Sequence, residues 1–293
     1  MKNPKITVFT PTYNRSYILD NLYQSLKNQT CYDFEWLIID DGSTDDTEIL
    51  IKKWISEETL FNIKYHKKQN GGKHRAINIG VELAKGKLFF IVDSDDKVLP
   101  DSVEKIIDWE SKLPRKEKFA GVAGNRAYSN DQVIGKTFTG DFIDATSLER
   151  ERFNIMGDKA EAFYTDILKR YKFPEFEGEN FITESVVWFK IASDGYKIRW
   201  FNEVLYITEY LPDGLTVSSI KHFTKNPEGS LYACKLELKY RELSLRWKLS
   251  RLIRYIKIAA EYNKSVNVIA RELDISVLFV LVAYLALYIK ERL

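Results

Sequence analysis

The sequence has 293 residues, with 45% hydrophobic and 29% charged side chains, and these proportions are typical of a globular protein with one large or two small domains. This composition excludes a disordered chain, and the two cysteines, Cys31 and Cys234, provide neither a disulfide framework nor a metal-ligand spacing. The formal net charge is +2, but from Val217 onward there are 14 Lys and Arg against 7 Asp and Glu. We therefore expect the C-terminal segment to face an anionic partner.

The N-terminal residues Met1–Lys5 lead directly into a β-branched run and contain no apolar region of the signal-peptide kind. We therefore expect no export by that route. The low cysteine content fits a reducing compartment, so the expected location is the cytoplasm.

Strand and helix patterns alternate through the first third of the chain. Apolar and β-branched runs predict strands, and apolar residues at helical spacing predict the helices between them. The predicted strands are Lys5–Thr10, closed by Pro11, then Trp36–Ile39, Phe61–His66 and Leu88–Val92, and the predicted helices are Ser16–Asn28, with Ser16 as N-cap, then Asp45–Ser56 and His74–Ala84. This alternation predicts an α/β fold, with a mostly parallel sheet flanked by helices on both faces.

Polar and glycine-rich motifs follow the predicted strands at their carboxyl ends. In parallel sheets, ligands bind beyond these ends of the strands. The motifs are Pro11-Thr12-Tyr13-Asn14, Asp40-Asp41-Gly42-Ser43, Gly71-Gly72-Lys73 and Asp93-Ser94-Asp95. The four loops are therefore predicted to converge on one ligand-binding crevice.

An acidic cluster, Asp93-Ser94-Asp95-Asp96, ends the apolar strand Leu88–Val92. Carboxylates this close repel one another unless a cation lies among them, and Mg²⁺ and Mn²⁺ prefer oxygen ligands. One interpretation is a metal–diphosphate site, since the D-x-D spacing puts Asp93 and Asp95 on one face of an extended backbone. The other is an acidic turn before the helix that follows Pro100. The convergence of the four loops favours the metal site.

The ordered motifs TPTYNR at 10–15, DDGSTDDT at 40–47, NGGKHRAINIG at 70–80 and DSDD at 93–96 resemble those of family-2 glycosyltransferases. The resemblance covers about residues 5–210. It implies the GT-A fold, a Rossmann-like arrangement with a mostly parallel central sheet flanked by helices. The implied organisation is a nucleotide-sugar-binding catalytic domain over residues 1–215 and a helical C-terminal extension over residues 216–293.

The resemblance assigns the first two motifs to the nucleoside. Tyr13 would stack on the base, and Asp41 would accept a hydrogen bond from a pyrimidine N–H. Pro11, Thr12 and Asp40 would complete and support this part of the donor site. The alternative for Tyr13 is an ordinary aromatic residue on the surface.

The same resemblance assigns the third and fourth motifs to the diphosphate and the sugar. Lys73 would lie near the diphosphate, although a solvated lysine at a helix start is an open alternative. Asp95 would bind Mn²⁺ or Mg²⁺, and Asp93 would lie nearer the ribose and the sugar, with Ser94 beside it. Asp96 is left as a structural member of the cluster.

The family's catalytic base lies in an acceptor-side motif, usually Glu-Asp before a helix that ends in Gly-Tyr. When the sequence is aligned on Gly195-Tyr196, the usual Asp position is Glu184 and the preceding Glu is replaced by Thr183. The resemblance therefore implies Glu184 as the base, with Glu177 and Glu179 as rivals. A helix-start acid also has a purely structural explanation in the helix dipole.

Taken together, these assignments imply an inverting, metal-dependent transferase. It would move a sugar from a nucleotide-diphospho-sugar, with UDP-sugars favoured, to a hydroxyl of a growing cell-surface glycan or a lipid-linked acceptor. A sugar nucleotidyltransferase is an alternative, but it would normally show a Gly-rich basic loop where this chain has Thr10–Arg15. A non-catalytic nucleotide-sugar-binding assembly subunit is another. No nucleic-acid-binding motif is present, and no nucleic-acid partner is expected.

The segment 240–293 combines a basic amphipathic pattern with an apolar tract. Arg246, Lys248, Arg251 and Arg254 surround an apolar face, which is typical of a helix on an anionic membrane surface. The tract Ile275–Ile289 is shorter than the roughly 20 residues that a spanning helix needs. We therefore expect peripheral association with the inner face of the cell membrane. Packing on the catalytic domain and a homodimer contact remain alternatives.

Overall fold

The structure is a computed structural model that describes residues 3–114, 117–209 and 219–290. A nine-stranded sheet lies at its centre, in the order β3-β2-β1-β4-β8-β6-β9-β5, with β7 paired to β9 beside this path. The strands are β1 Ile6–Thr12, β2 Phe34–Asp40, β3 Asn62–Lys67, β4 Leu88–Ile91, β5 Lys97–Val98, β6 Phe119–Ala127, β7 Phe142–Ala145, β8 Lys159–Tyr164 and β9 Lys197–Ile207.

Strands β1 to β4 are parallel to one another, as the alternating pattern predicted. The second half of the sheet is mixed. β8 runs antiparallel between β4 and β6, β6 and β9 are parallel, and β5 and β7 are antiparallel to β9. No long helix connects β6, β7 and β8, and antiparallel neighbours do not need a crossover helix. The predicted α/β class is confirmed, with an antiparallel contribution from the later strands.

Helices cover both faces of the sheet. They are α1 Leu19–Lys27, α2 Thr47–Glu57, α3 Lys73–Leu83, α4 Ser102–Ser111, α5 Thr165–Leu168, α6 Ser185–Ser193, α7 Ser219–Lys225, α8 Pro227–Leu238, α9 Leu245–Glu261, α10 Val266–Leu273 and α11 Val277–Lys290, with a 3-10 turn at Ser147–Glu149. Val8 and Phe90 pack with α1, α2 and α4, whereas their neighbours Phe9 and Phe89 pack with α3 and α6. This alternation follows from the two-residue period of a strand.

Most predicted element boundaries differ slightly from the observed ones, and two of these differences affect the loops that follow β1. β1 continues through Pro11 to Thr12. Its pairing with β4 has ended by then, at Phe9, so Pro11 lies where β1 has a neighbour on one side only, a position that tolerates proline. Helix α1 begins at Leu19 rather than at Ser16. The Ser16 hydroxyl donates a hydrogen bond to Asp45 Oδ2 at 2.7 Å instead of capping the helix.

The C-terminal helices contribute to two cores. Residues such as Leu252, Ile256 and Ile269 form a separate apolar cluster, while Ala233 and Leu243 belong to the main core. The predicted domain boundary at 215/216 lies outside the described residues. Over the described ranges, every helix is too short or too polar to cross a membrane.

Candidate active site

Asp40 shapes the loop that follows β2. Its Oδ1 accepts a hydrogen bond from the Ser43 amide at 2.7 Å, and its Oδ2 accepts one from the Tyr65 hydroxyl at 2.6 Å. The side chain is fully buried. Asp40 is therefore positioned to support the loop, in line with the supporting role predicted for it.

Asp41 connects the end of β2 to the glycine turn before α3. Its carboxylate accepts hydrogen bonds from the amides of Gly71 at 2.9 Å and Gly72 at 2.7 Å, and it forms an ion pair with Lys68. The Asp41 amide in turn donates to the carbonyl of Thr12 at 2.8 Å. Three of the four predicted loops are thus joined through one residue. The predicted contact of Asp41 with a pyrimidine base stays a prediction.

Tyr13 lies at the carboxyl end of β1 with 47% of its surface exposed, whereas Thr12 beside it is buried. Asn14 follows in the left-handed region at φ 52°. Its amide donates to Ser43 Oγ at 2.8 Å, and its Oδ1 accepts from the Thr44 amide at 2.8 Å. Tyr13 is therefore an exposed ring on a fixed turn, a placement suited to stacking on a planar base.

Asp93 is held between two cations. Lys73 Nζ lies 2.7 Å from Asp93 Oδ1, and Arg126 Nη1 lies 3.5 Å from Asp93 Oδ2. Burial alone would raise the pKa of Asp93, but the charges of Lys73 and Arg126 outweigh burial and lower it. Asp93 is therefore an ionised carboxylate whose charge is already compensated by the protein.

The other acids of the cluster are compensated less completely. Burial and then the charge of Asp93 raise the pKa of Asp95, and the same two causes raise the pKa of Asp96 to about 8. Asp96 is 2% exposed, neither of its carboxylate oxygens has a hydrogen-bond partner, and Arg126 lies 3.8 Å away. Ser94, which lies between Asp93 and Asp95 in the sequence, is also buried. A divalent cation would stabilise the ionised forms of these acids, and their oxygens are the donors that Mn²⁺ and Mg²⁺ prefer.

Within the described ranges, no group of three or more His, Cys, Asp and Glu side chains could hold a metal ion. An ion bound to Asp95 would therefore need most of its ligands from a substrate and from water. Magnesium sites of this kind, with one or two carboxylates and the phosphates of a substrate, are common. The residues present fit the expected ion.

Lys73 also reaches the predicted base. Its Nζ lies 2.9 Å from Glu184 Oε1, so one ammonium group contacts both Asp93 and Glu184. Burial would lower the pKa of Lys73, but the charges of these two carboxylates outweigh burial and raise it. Glu184 stands at the N-cap of α6, yet its side chain makes no capping hydrogen bond there. The ion pair with Lys73, rather than a capping hydrogen bond, therefore holds the carboxylate where it lies.

Arg75 on α3 holds the segment before Glu184 in place. Its guanidinium donates to the carbonyls of Gly71 and Phe176, both at 2.6 Å, and to the carbonyl of Glu179. Gly72 packs so closely against Asn180 that a Cβ on this glycine would lie 1.8 Å from the Asn180 carbonyl oxygen. These contacts bring the chain from residue 175 onward against the start of α3, next to Lys73.

The rival bases lie in different surroundings. The Glu179 carboxylate accepts hydrogen bonds from the amides of Glu228 at 2.6 Å and Gly229 at 2.8 Å, at the N-terminus of α8. Glu179 is therefore engaged as a helix cap. Glu177 is exposed. Of the three candidates, Glu184 is the one that the structure brings to the acidic cluster.

Arg126 on β6 and Glu161 on β8 were not predicted from the sequence. Arg126 contacts Asp93 and packs over the Tyr206 ring, and Glu161 lines a cavity of about 340 Å³ beside Glu184. Arg126 is a charged residue in a strand of mostly small and apolar residues, and Glu161 stands between two alanines in β8. That contrast is the signal that could have drawn attention to them, because charged side chains are rarely buried without a partner.

The sequence model of the family described as Glycosyl transferase family 2 matches residues 7–166, more than half of the chain. The GalNAc(5)-diNAcBac-PP-undecaprenol β-1,3-glucosyltransferase of Campylobacter jejuni is 25% identical over 270 residues, which are 89% of this chain and 81% of that protein. The chondroitin synthase of Escherichia coli is 34% identical over 105 residues, which are 36% of this chain and 15% of that protein.

Two solved structures have a similar fold. S. aureus TarS in complex with UDP-GlcNAc has a TM-score of 0.62 at 20% identity, covering 87% of this chain and 71% of that chain. The mannosyltransferase PcManGT of Pyrobaculum calidifontis, solved with GDP-Man and Mn²⁺, has a TM-score of 0.59 at 18% identity, covering 100% of this chain and 83% of that chain. At these identities the similarity shows the fold, which is GT-A.

Proposed function

The chain belongs to glycosyl transferase family 2, and from this premise we propose that it is an inverting, metal-dependent glycosyltransferase. It moves a hexose or N-acetylhexosamine from a nucleotide-diphospho-sugar to a hydroxyl of a growing cell-surface glycan or a lipid-linked acceptor. The observation that carries the proposal is the contact of Lys73 with both Asp93 and Glu184, at 2.7 and 2.9 Å. It joins a candidate base to Asp93 of the acidic cluster, which lies 91 positions earlier in the sequence.

A UDP-sugar is the favoured donor. Tyr13 stacks on the base, and the loops built on Asp40 and Asp41 enclose the nucleoside. The UDP-GlcNAc complex of TarS and the glucosyltransferase relative support this assignment. The GDP-Man complex of PcManGT shows that the same fold serves another nucleotide, so the assignment of uracil rests on Asp41.

Asp95 holds Mn²⁺ or Mg²⁺ in this proposal, and PcManGT, solved with Mn²⁺, supports it. The bound cation would neutralise charge on the departing diphosphate. Asp93 lies toward the ribose and the sugar and keeps the Lys73 ammonium in position. Lys73 adds a second positive charge near the diphosphate, where a fixed cation stabilises developing negative charge.

Glu184 is the general base. Its carboxylate takes the proton from the acceptor hydroxyl as the oxygen attacks the anomeric carbon. The new carbon–oxygen bond forms on one face of the sugar while the bond to the diphosphate breaks on the other, and the diphosphate leaves with the electron pair. A single displacement of this kind inverts the anomeric centre.

Replacing Glu184 with Gln tests the proposal directly. Loss of a general base lowers turnover by about 10²–10⁴-fold, and the Michaelis constant for the donor should change little because Glu184 acts on the acceptor. Initial rates of UDP release with UDP-glucose and UDP-GlcNAc measure both quantities. Glu179→Gln is the matched control and should keep near wild-type turnover. Near wild-type turnover of the Glu184→Gln variant would overturn the assignment.

The two alternative interpretations gain no support. The two relatives described above are named as a glucosyltransferase and a chondroitin synthase rather than as a nucleotidyltransferase or an assembly subunit. The acid cluster and Glu184 that transfer chemistry requires are both present, which a non-catalytic subunit would not need.

The C-terminal helices are proposed to dock on an anionic membrane surface at the cytoplasmic face. Leu278, Leu281, Val282 and Leu285 form an exposed apolar stripe on α11. Arg246 and Lys257 of α9 are exposed in the same segment, whereas Arg251 is ion-paired with Glu237. Apolar contact combined with basic residues favours binding to anionic lipid. The undecaprenol-linked acceptor named for the Campylobacter relative supports this placement. A homodimer through the same stripe is the alternative.

A further inference from the structure

A cavity of about 340 Å³ lies beside Glu184, between the catalytic sheet and the C-terminal helices. Arg126 and Glu161 line it from β6 and β8, Trp188 lines it from α6, and Trp247 lines it from α9. Its volume is within the range of small-molecule sites, about 300–1,000 Å³. A molecule in this cavity would contact both Glu184 and the C-terminal segment.

The cavity carries balanced charge. Four cationic side chains line it, and so do four acidic ones, Glu151, Asp158, Glu161 and Glu184. The cations are Arg126, Arg150, Lys159 and Arg251. Recognition of a phosphate normally uses cations in excess, with hydrogen bonds available to its oxygens. An excess of cations is absent from the described lining.

The cations are also engaged inside the protein. Arg150 Nε donates to the carbonyl of Ile155 at 3.1 Å, and its Nη2 donates to the carbonyl of Gly157. Lys159 Nζ donates to Asn125 Oδ1 at 2.8 Å and to the carbonyl of Lys136 at 3.0 Å. Arg126 is paired with Asp93, and Arg251 with Glu237. The cavity is therefore suited to a ligand with hydroxyl groups rather than to an anion.

Glu161 is engaged more loosely. Arg150 Nη1 lies 3.9 Å from Glu161 Oε1, beyond hydrogen-bond distance. Burial raises the pKa of Glu161 to about 7, although the charges of Arg150 and Arg126 act against it. In either protonation state this carboxyl group can accept a hydrogen bond from a sugar hydroxyl, and in the protonated state it can also donate one.

A hydrogen-bond network fixes the α9 wall to the start of α6. The buried Glu237 on α8 accepts from Ser185 Oγ at 2.5 Å and from Trp247 Nε1 at 3.3 Å, and it is ion-paired with Arg251. Ser185 follows Glu184 directly. The indole of Trp247 is thereby held in a constant position relative to the proposed base.

We propose that this cavity binds an uncharged sugar ring of the acceptor, that Glu161 is an acceptor-positioning residue, and that Trp247 makes α9 part of the acceptor site. This inference rests on the proposed function, since it requires Glu184 to act on a hydroxyl of the bound ring. Glu161 bonds a second hydroxyl of that ring and so selects which hydroxyl faces Glu184. Any phosphate of a lipid-linked acceptor then lies outside the cavity.

The test uses the full chain with UDP-glucose or UDP-GlcNAc as donor and a panel of acceptor probes. The probes are methyl glycosides of glucose, galactose, GlcNAc and GalNAc, each compared with the corresponding sugar 1-phosphate. Donor turnover is followed as UDP release. The uncharged glycosides should accelerate it and the sugar phosphates should not.

The Glu161→Ala and Trp247→Ala variants should raise the acceptor Michaelis constant about tenfold, as expected for loss of a hydrogen bond or a packing contact to the ligand. The donor Michaelis constant and the slow hydrolysis of donor without acceptor should stay within about twofold of the wild type. Trp247→Phe should recover part of the loss. Tyr262→Ala, at the exposed end of α9, is the control and should match the wild type.

Stimulation by the sugar phosphates alone would overturn the inference, and so would a panel in which no glycoside stimulates turnover. Unchanged acceptor Michaelis constants in both variants would also overturn the inference. The assignment of Glu184 as the base would not be affected by that result. If the wild type released no UDP either with or without an acceptor, that result would instead contradict the proposed function.

Discussion

Lys73 shows how much one side chain contributes to this site. Its ammonium group lies within 3 Å of two carboxylates, Asp93 and Glu184, that are far apart in sequence. Without it, two acids would face each other in a partly buried crevice, and each would raise the pKa of the other. Lys73 follows Gly71 and Gly72, and Asp41 accepts hydrogen bonds from the amides of both glycines. The position of the ammonium thus depends on a short chain of local contacts.

His74, the next residue, gives a pH dependence of stability. Its side chain is buried, its Nδ1 has no hydrogen-bond partner, and burial together with the charge of Arg75 lowers its pKa to about 4. The unfolded chain has the higher value, about 6.5, so it binds the proton first as the pH falls. The free energy of unfolding should therefore decrease from pH 6.5 to pH 4, by at most about 3 kcal/mol for this group.

Urea unfolding of the wild type and a His74→Gln variant at pH 7 and pH 4.5 measures this effect. The variant should lose less stability than the wild type between the two pH values, because glutamine does not titrate. His66→Gln, at an exposed position on β3, should follow the wild type. Equal losses in the wild type and His74→Gln would show that His74 is not the titrating group.

At the scale of elements, the contact between the start of α3 and the segment before α6 forms the site. Gly72 has φ 96°, and a Cβ there would lie 1.8 Å from the Asn180 carbonyl oxygen. Gly72→Ala must therefore move the segment that carries Glu184 away from Lys73. We expect a loss of several kcal/mol of stability, since backbone strain of about 1–2 kcal/mol is joined by a steric clash.

Gly178→Ala is a matched control in the same segment. Gly178 also has a positive φ, at 74°, but no atom lies within 4 Å of a Cβ built there. This variant should show the backbone strain alone and keep near wild-type turnover. Urea unfolding and UDP release on both variants separate the two effects. Equal losses of stability and turnover in the two variants would contradict the role given to the Gly72–Asn180 contact.

At the scale of the whole molecule, the apolar stripe on α11 is a surface that the described residues leave uncovered. Leu278 is 71% exposed and Leu285 is 59% exposed, and a continuous apolar surface of this kind usually marks an interaction site. Replacing Leu281 and Leu285 with Glu should reduce co-sedimentation with phosphatidylglycerol vesicles about tenfold or more, because the acids oppose both apolar contact and anionic lipid. The wild type should also bind less at high salt.

Ile49→Glu is the control for this experiment, since Ile49 is an equally exposed apolar residue on α2. It should leave vesicle binding unchanged. If the wild type does not bind vesicles and the double variant instead converts a dimer into a monomer in light scattering, the homodimer alternative is correct. If the double variant changes neither vesicle binding nor the oligomeric state, the stripe binds neither a membrane nor a second copy of the chain.

Much of the fold could be predicted because its signals are local. The periods of two and of three to four residues identified β1 to β4 and α1 to α3 to within a few residues. The convergence of parallel strand ends predicted that Asp41, Lys73 and Asp93 lie at one edge of the sheet. The antiparallel β8 was not predicted. Its direction depends on how the connection from β6 packs, and strand hydrophobicity carries no information about direction.

The sequence by itself determined the family-2 motifs, the order of the first strands and helices, and the acidic cluster at the end of β4, because these depend on residues close together in the chain. Only the tertiary structure distinguished the surroundings of Glu184 from those of Glu179, and the role of Glu184 as the base stays a prediction. The deciding contacts are Lys73 for Glu184 and the amides of α8 for Glu179, and their partners lie about 50 to 110 residues away in the sequence. Arg126 and the cavity closed by Trp247 likewise exist only after distant segments have packed together, so no local pattern could reveal them.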